Sequence, residues 1–138
     1  MPPNLFMLLL WFLMGFHVAC TDMGAGQATS NSLCMRQDDA DPLVIHFGTG
    51  TTCSAPVTVK EVFVSNNSTH QVVWRLVGRT PENRRVMSSV RLGDPFDRYE
   101  VVGAWASPAA GDQTGWDVTV VTTSDITSGT FVLAPRAR

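Results

Sequence analysis

The sequence predicts an all-β domain, an antiparallel β-sandwich of about seven strands over residues 42–138. Three observations carry that expectation. Short runs rich in valine, threonine and aromatic residues recur along the chain, the composition that half-buried strands prefer. Clusters of glycine, proline, asparagine, aspartate and serine separate the runs. No stretch after residue 42 sustains the apolar period of a helix.

In chain order the expected strands cover residues 43–47, 57–64, 71–77, 85–92, 99–105, 116–122 and 130–133. Between them lie Gly48-Thr49-Gly50, Ser65-Asn66-Asn67-Ser68, residues 78–83, Gly93-Asp94-Pro95, residues 107–115 and residues 124–129. Strands of this number and spacing suggest an immunoglobulin or fibronectin type III shape, without the Cys…Trp…Cys signature of a true immunoglobulin domain. Alternation assigns the faces, because successive strand residues point to opposite sides. Val72, Trp74 and Leu76 share one face; Trp116, Val118 and Val120 form a second stripe, and Phe131 and Leu133 a third. In the run 57–64, Lys60-Glu61 breaks the alternation, which predicts a bulge that switches the buried face.

The sequence ahead of this domain has a different character. Residues 5–19 are almost continuously apolar and uncharged, and Cys20 closes the run. A spanning helix needs about 20 apolar residues with suitable flanks, so the run suits an export segment better than a permanent anchor. Met1-Pro2-Pro3-Asn4 lacks the positive charge that usually opens such a segment. Three readings stand open: lipidation at Cys20, ordinary cleavage after Ala28 behind Gly26-Gln27, and an uncleaved N-terminal helix.

Val18-Ala19-Cys20 resembles the lipobox of bacterial lipoprotein signals, with His17 where that family usually has leucine. The resemblance covers residues 1–20. It implies a signal peptide over residues 1–19, a lipid on Cys20 and residence on a cell-envelope membrane. Thr21, rather than aspartate, follows the cysteine, which is similar to the class sorted to the periplasmic side of the outer membrane. The alternative localisation is a secreted domain.

Cysteine parity points the same way. The chain has three cysteines, and lipidation of Cys20 leaves Cys34 and Cys53 to form a disulfide in an oxidising compartment. Such a bridge contributes about 3 kcal/mol, mainly by restricting the unfolded chain. Residues 20–41, small and polar, read as a flexible tether between anchor and domain. The formal net charge of −2 makes no case for nucleic acid, and no nucleic-acid partner is expected.

The search for chemistry yields little. His46 falls inside an expected strand and His70 beside a turn, neither with a carboxylate or cysteine at metal-ligand spacing. No serine sits in Gly-x-Ser-x-Gly or Ser-x-x-Lys, and Gly48-Thr49-Gly50 lacks the lysine and helix of a phosphate loop. Asp94, Asp97 and Glu100 cluster, but around a Gly-Asp-Pro turn where acids ordinarily occur. Asn66-Asn67-Ser68-Thr69 holds overlapping glycosylation sequons, meaningful only in a eukaryotic source. No catalytic residue, metal or cofactor is expected.

Two groups of residues are candidates for binding. Arg84, Arg85, Arg91 and Arg98, with Arg75 and Arg79, fall in one central segment that could meet anionic lipid or acidic glycan. Local pairing with Glu82, Asp94, Asp97 and Glu100 is the competing account. Trp105 and Trp116 flank the loop 107–115 and could form a stacking or docking surface, or pack that loop on the sandwich end. The sequence therefore points to an exported, lipid-anchored envelope module, non-enzymatic, binding a protein partner or supporting an assembly. A glycan- or anionic-lipid-binding module is the alternative, and a small exported hydrolase a third reading.

Overall fold

Apolar residues that alternate along the sequence line the inside of two antiparallel sheets packed as a β-sandwich, in a computed structural model that describes residues 32–137. The strands are β1 (Cys34–Gln37), β2 (Val44–Gly48), β3 (Val57–Asn66), β4 (Val72–Val77), β5 (Arg85–Met87), β6 (Ser89–Arg91), β7 (Glu100–Val102), β8 (Gly115–Thr122) and β9 (Ile126–Val132). One sheet runs β1-β2-β6; the other runs β7-β4-β3-β8-β9, with β5 also on β3. A 3-10 turn over Pro81–Asn83 precedes β5.

The core draws Ile45 and Phe47 from the smaller sheet and Val59, Val62, Val64, Trp74, Leu76, Val118 and Val120 from the larger, with Leu92 and Leu133 closing it. All are essentially inaccessible, and burial of each large side chain contributes about 1.5–3 kcal/mol. The stripe assignment holds for Trp74, Leu76, Val118, Val120 and Leu133, whereas Val72, Trp116 and Phe131 sit at the margins. The Lys60 bulge is present: β3 pairs with β8 as Val59↔Thr122 and then Glu61↔Val121. One extra residue reverses the parity, so Val59 and Val62 both face inward.

Four elements differ from the sequence expectation, one being the expected turn 124–129, of which residues 126–129 belong to β9 and pair with β8. Residues 34–37, placed in the flexible tether, form β1, paired in register from Cys34↔Gly48 to Gln37↔Ile45. The ordered sandwich thus starts before residue 42, and the part of the tether before residue 32 lies outside the described residues. The run 85–92 is two strands. Its first half pairs with β3 and its second with β2, the crossing made at Ser88, whose carbonyl accepts the Phe47 N–H at 2.9 Å. β7 stops at Val102 because Gly103, at φ +90°, backs so closely on the Val73 carbonyl that a Cβ would lie 2.5 Å from it.

Tyr99 repairs the place where β4 gives way to β5. Its hydroxyl accepts the Arg85 N–H at 2.8 Å and donates to the Val59 carbonyl at 2.6 Å. A side chain thereby supplies the rungs that the excursion 78–84 removes, beside the Lys60 bulge. Gly78 makes room for it, since a Cβ there would meet the Tyr99 ring at 3.0 Å. Burial pushes the phenol pKa up, which keeps the hydroxyl a donor.

Candidate functional site

The cysteines are the first sequence-predicted residues the fold places. Cys34 opens β1, Cys53 lies in the loop 49–56, and the two form a disulfide with Cα atoms 5.4 Å apart. Cys53 takes φ +51°, a turn conformation, and the loop closes on itself through the Thr49 and Ala55 backbones. Cys20 lies outside the described residues.

The tryptophans meet. Trp105 and Trp116 make an edge-to-face contact with centroids 5.9 Å apart, both half-buried against the core. Trp116 Nε1 is buried without a hydrogen-bond partner. The two rings thus pack on each other and against the core. A remnant of a surface remains: Trp105 lines a depression of about 190 Å³ with Arg91, Asp94, Leu43 and Ser107.

The arginines divide into two groups. Arg91 is held between Asp41 at 3.0 Å and Asp94 at 3.1 Å. Arg75 pairs with Glu61 at 2.8 Å and lies over the Phe63 ring, and Arg79 pairs with Glu100. These contacts hold the carboxylates low: Asp41 through the Leu43 N–H first and Arg91 second, Glu100 through Arg79. The other group collects around Tyr99. Arg85 and Arg98 each come only within 3.9 Å of the exposed Asp97, and Arg84 donates to the Gly78 carbonyl at 3.2 Å. The exposed Phe96 makes an edge contact with Tyr99 at 5.6 Å. Arg91 is thus near Trp105, whereas Arg84, Arg85 and Arg98 form a separate cluster.

One contact was not foreseen in the sequence. His46 Nε2 lies 2.8 Å from Asp38 Oδ1, because the β1–β2 hairpin pairs Arg36 with His46 and carries Asp38 just past it. That bond, with the N–H groups of Asp41 and Ala40, lowers the Asp38 pKa to about 2. Ser89 is the cross-strand partner of His46 on β6, yet no hydrogen bond joins their side chains. Imidazole and carboxylate lie on the outer face of the smaller sheet, where they pin a turn. His70 is exposed in the β3–β4 turn at φ +59°.

Beside that hairpin a groove of about 790 Å³ runs between Gln37–Pro42 and the C-terminal stretch Val132–Arg136. Gln37, Asp38, Asp39 and Arg136 line it beside alanine, proline and valine, with Asp38 already committed to His46. Among the described residues no cluster of His, Cys, Asp and Glu is arranged to hold a metal, and no helix is long and apolar enough to cross a membrane. Comparisons with protein-family models, curated proteins and solved structures return no match.

Proposed function

We propose that the chain is an exported cell-envelope module, held at a membrane by lipid on Cys20, whose β-sandwich binds a protein partner or supports an assembly rather than catalysing a reaction. The observation that carries this reading is the Cys34–Cys53 disulfide. It uses two of the three cysteines, implies an oxidising compartment, and leaves Cys20 alone at the end of the apolar run. Binding by the sandwich is favoured over stacking on sugars because the Trp105 and Trp116 rings are half-buried on each other, while strand edges and apolar side chains such as Val101 and Phe96 are exposed.

Membrane fractionation tests the anchor. Wild-type chain is expected in the membrane fraction and Cys20→Ala in the soluble one. Equal partition of the two would remove the lipid from the account. The intact mass of the native protein, read with a thiol label, supplies the chemistry: an acyl adduct on a chain beginning at Cys20 with the other thiols protected. A chain beginning at Thr29 without lipid would make it a secreted domain.

A second reading rests on the depression shared by Trp105, Arg91 and Asp94, which has the ring and polar groups that acidic glycans or anionic lipid headgroups use. In that reading the Arg84–Arg85–Arg98 cluster and Trp116 play no direct part in the same depression. It requires a Trp fluorescence shift on adding cell-wall fragments or lipopolysaccharide, abolished by Trp105→Ala.

A further inference from the structure

The arginines are not neutralised evenly. Arg75, Arg79 and Arg91 each sit in a close pair with a carboxylate. At the corner around Tyr99 the balance is different. Arg85 and Arg98 share one carboxylate, Asp97, at 3.9 Å each, and that carboxylate is itself 81% exposed. The other acid of the corner, Glu82, is held by its own N–H first, then by Thr80, and by Arg84 last. Lys60 stands one residue beyond Val59 on β3 and forms no ion pair among the described residues. Cations therefore outnumber carboxylates here, and none is tightly paired.

Arg98 carries a second signal. Its φ of +65° is a left-handed conformation that glycine adopts freely and a long side chain enters at a cost. It lies in the turn closed by the Tyr99 N–H on the Phe96 carbonyl at 3.1 Å, so the backbone gains nothing from arginine at this position. Phe96, in the same turn, keeps 37% of its surface exposed beside these guanidinium groups. The corner lines neither the groove nor the depression described above, so an anion must meet it on an open surface.

The fold also says which end of the sandwich this is. Arg85 pairs with Val59, near the start of β3, and the Tyr99 hydroxyl bonds the same residue. β1 begins at that end: its last residue, Gln37, reaches Val132, which faces Gly115 at the opposite end of the larger sheet. Whatever holds the chain upstream of Cys34 thus pulls on the end that carries the cations.

We infer that this corner rests on an anionic membrane surface, with the Arg84, Arg85 and Arg98 guanidinium groups on lipid phosphates and the Phe96 ring among the headgroups. Guanidinium forks match phosphate oxygens, and an exposed ring flanked by cations suits the boundary between headgroup and acyl chain. The inference deepens the envelope reading and rests on it only for the nearness of a membrane.

The test takes the protein as purified from its native membrane or medium. It is added to vesicles of phosphatidylcholine, alone or mixed with phosphatidylglycerol, and hydrogen exchange is followed along the chain. Exchange at residues 84–86 and 96–99 should slow on the anionic vesicles only and recover in high salt. Arg98→Gly separates contact from packing: the slowing should be lost while the unfolding midpoint stays equal or rises, because the strained position is relieved. Arg85→Gln and Phe96→Ala should each weaken the slowing, and Arg91→Gln, at the other end, should not. Equal exchange on both vesicles overturns the inference, as does slowing that survives Arg85→Gln and Arg98→Gly together. Inorganic phosphate producing the same slowing without vesicles also overturns it, and would assign a site for a soluble anion. If Cys20 carries no lipid, the chain should still sediment with the anionic vesicles and not with the neutral ones, so the anchor and this surface fail separately.

Discussion

The β1–β2 hairpin and the β3–β4–β8 centre of the larger sheet are built from the same kind of backbone ladder but are held by different forces. The centre is secured by inaccessible side chains, with Trp74, Leu76, Val62, Val64, Val118 and Val120 of the larger sheet buried in one core with Ile45 and Phe47 of the smaller. β1 contributes only Met35 as a packing residue. It is fixed instead by the Cys34–Cys53 bond, the Asp38–His46 contact and the Gln37 amide, which donates to both Pro42 and Val132. One region is non-directional and tolerant of detail; the other depends on a few specific groups, each removable by itself. Redox state and acid should therefore act on the hairpin long before they reach the centre.

The largest effect is expected at the centre. Trp74→Ala should cost about 3–5 kcal/mol in denaturant unfolding, the usual price of emptying a fully buried aromatic site. Because the Trp74 N–H has no partner, Trp74→Phe should cost far less than the lost volume suggests. A loss under about 1 kcal/mol for the alanine variant would mean that the sandwich interior does not carry the stability assigned to it.

Next in size is the hairpin's covalent tie. Cys34→Ser together with Cys53→Ser should lower stability by about 3 kcal/mol, and hydrogen exchange should show where. Faster exchange confined to β1 and the loop 49–56, with β3 and β8 still protected, would sharpen the contrast between the regions. Uniform acceleration would erase it.

These contrasts also explain what could be read in advance. The centre was legible because burial imposes a period of two, and even its flaw was informative: Lys60-Glu61 breaks the alternation where the chain inserts its extra residue. β1 was not legible, since Cys-Met-Arg-Gln lacks a repeating apolar face and acquires its meaning from β2 and Cys53. The sheet switch at Ser88 was hidden for a related reason, both halves of the run 85–92 being β-formers. Of the candidate binding residues, the sequence placed Trp105 and Trp116 on either side of one loop without showing that their rings meet, and it merged Arg91 with Arg84 and Arg85, which the sheet switch separates.

Tyr99 lies between the two regimes, a buried ring whose hydroxyl is also a specific contact. Tyr99→Phe keeps the ring against Gly78 but leaves the Val59 carbonyl and the Arg85 N–H without their partner. A loss of about 1–3 kcal/mol is expected, with accelerated exchange at Arg85. An unchanged Arg85 amide would show that the hydroxyl does not substitute for the missing rungs.

The smallest effect concerns Asp38, and its sign can be worked out. His46, followed by the N–H groups of Asp41 and Ala40, lowers the carboxyl from its ordinary 3.8 to about 2. A carboxyl depressed on folding binds its proton more readily in the unfolded chain. Its contribution is therefore fully present above about pH 4 and is lost as pH falls towards 2. Both side chains are partly in solvent, so the consequence is local: the turn 38–43 should loosen in acid while β3 and β8 keep their protection. In His46→Ala the largest of the three causes is gone but the backbone donors remain. A carboxyl-detected NMR titration should then place the Asp38 midpoint above the wild-type value and still below 3.8. A midpoint unmoved by His46→Ala would assign the whole depression to the turn's own N–H groups, and the histidine would cease to be part of what holds the hairpin.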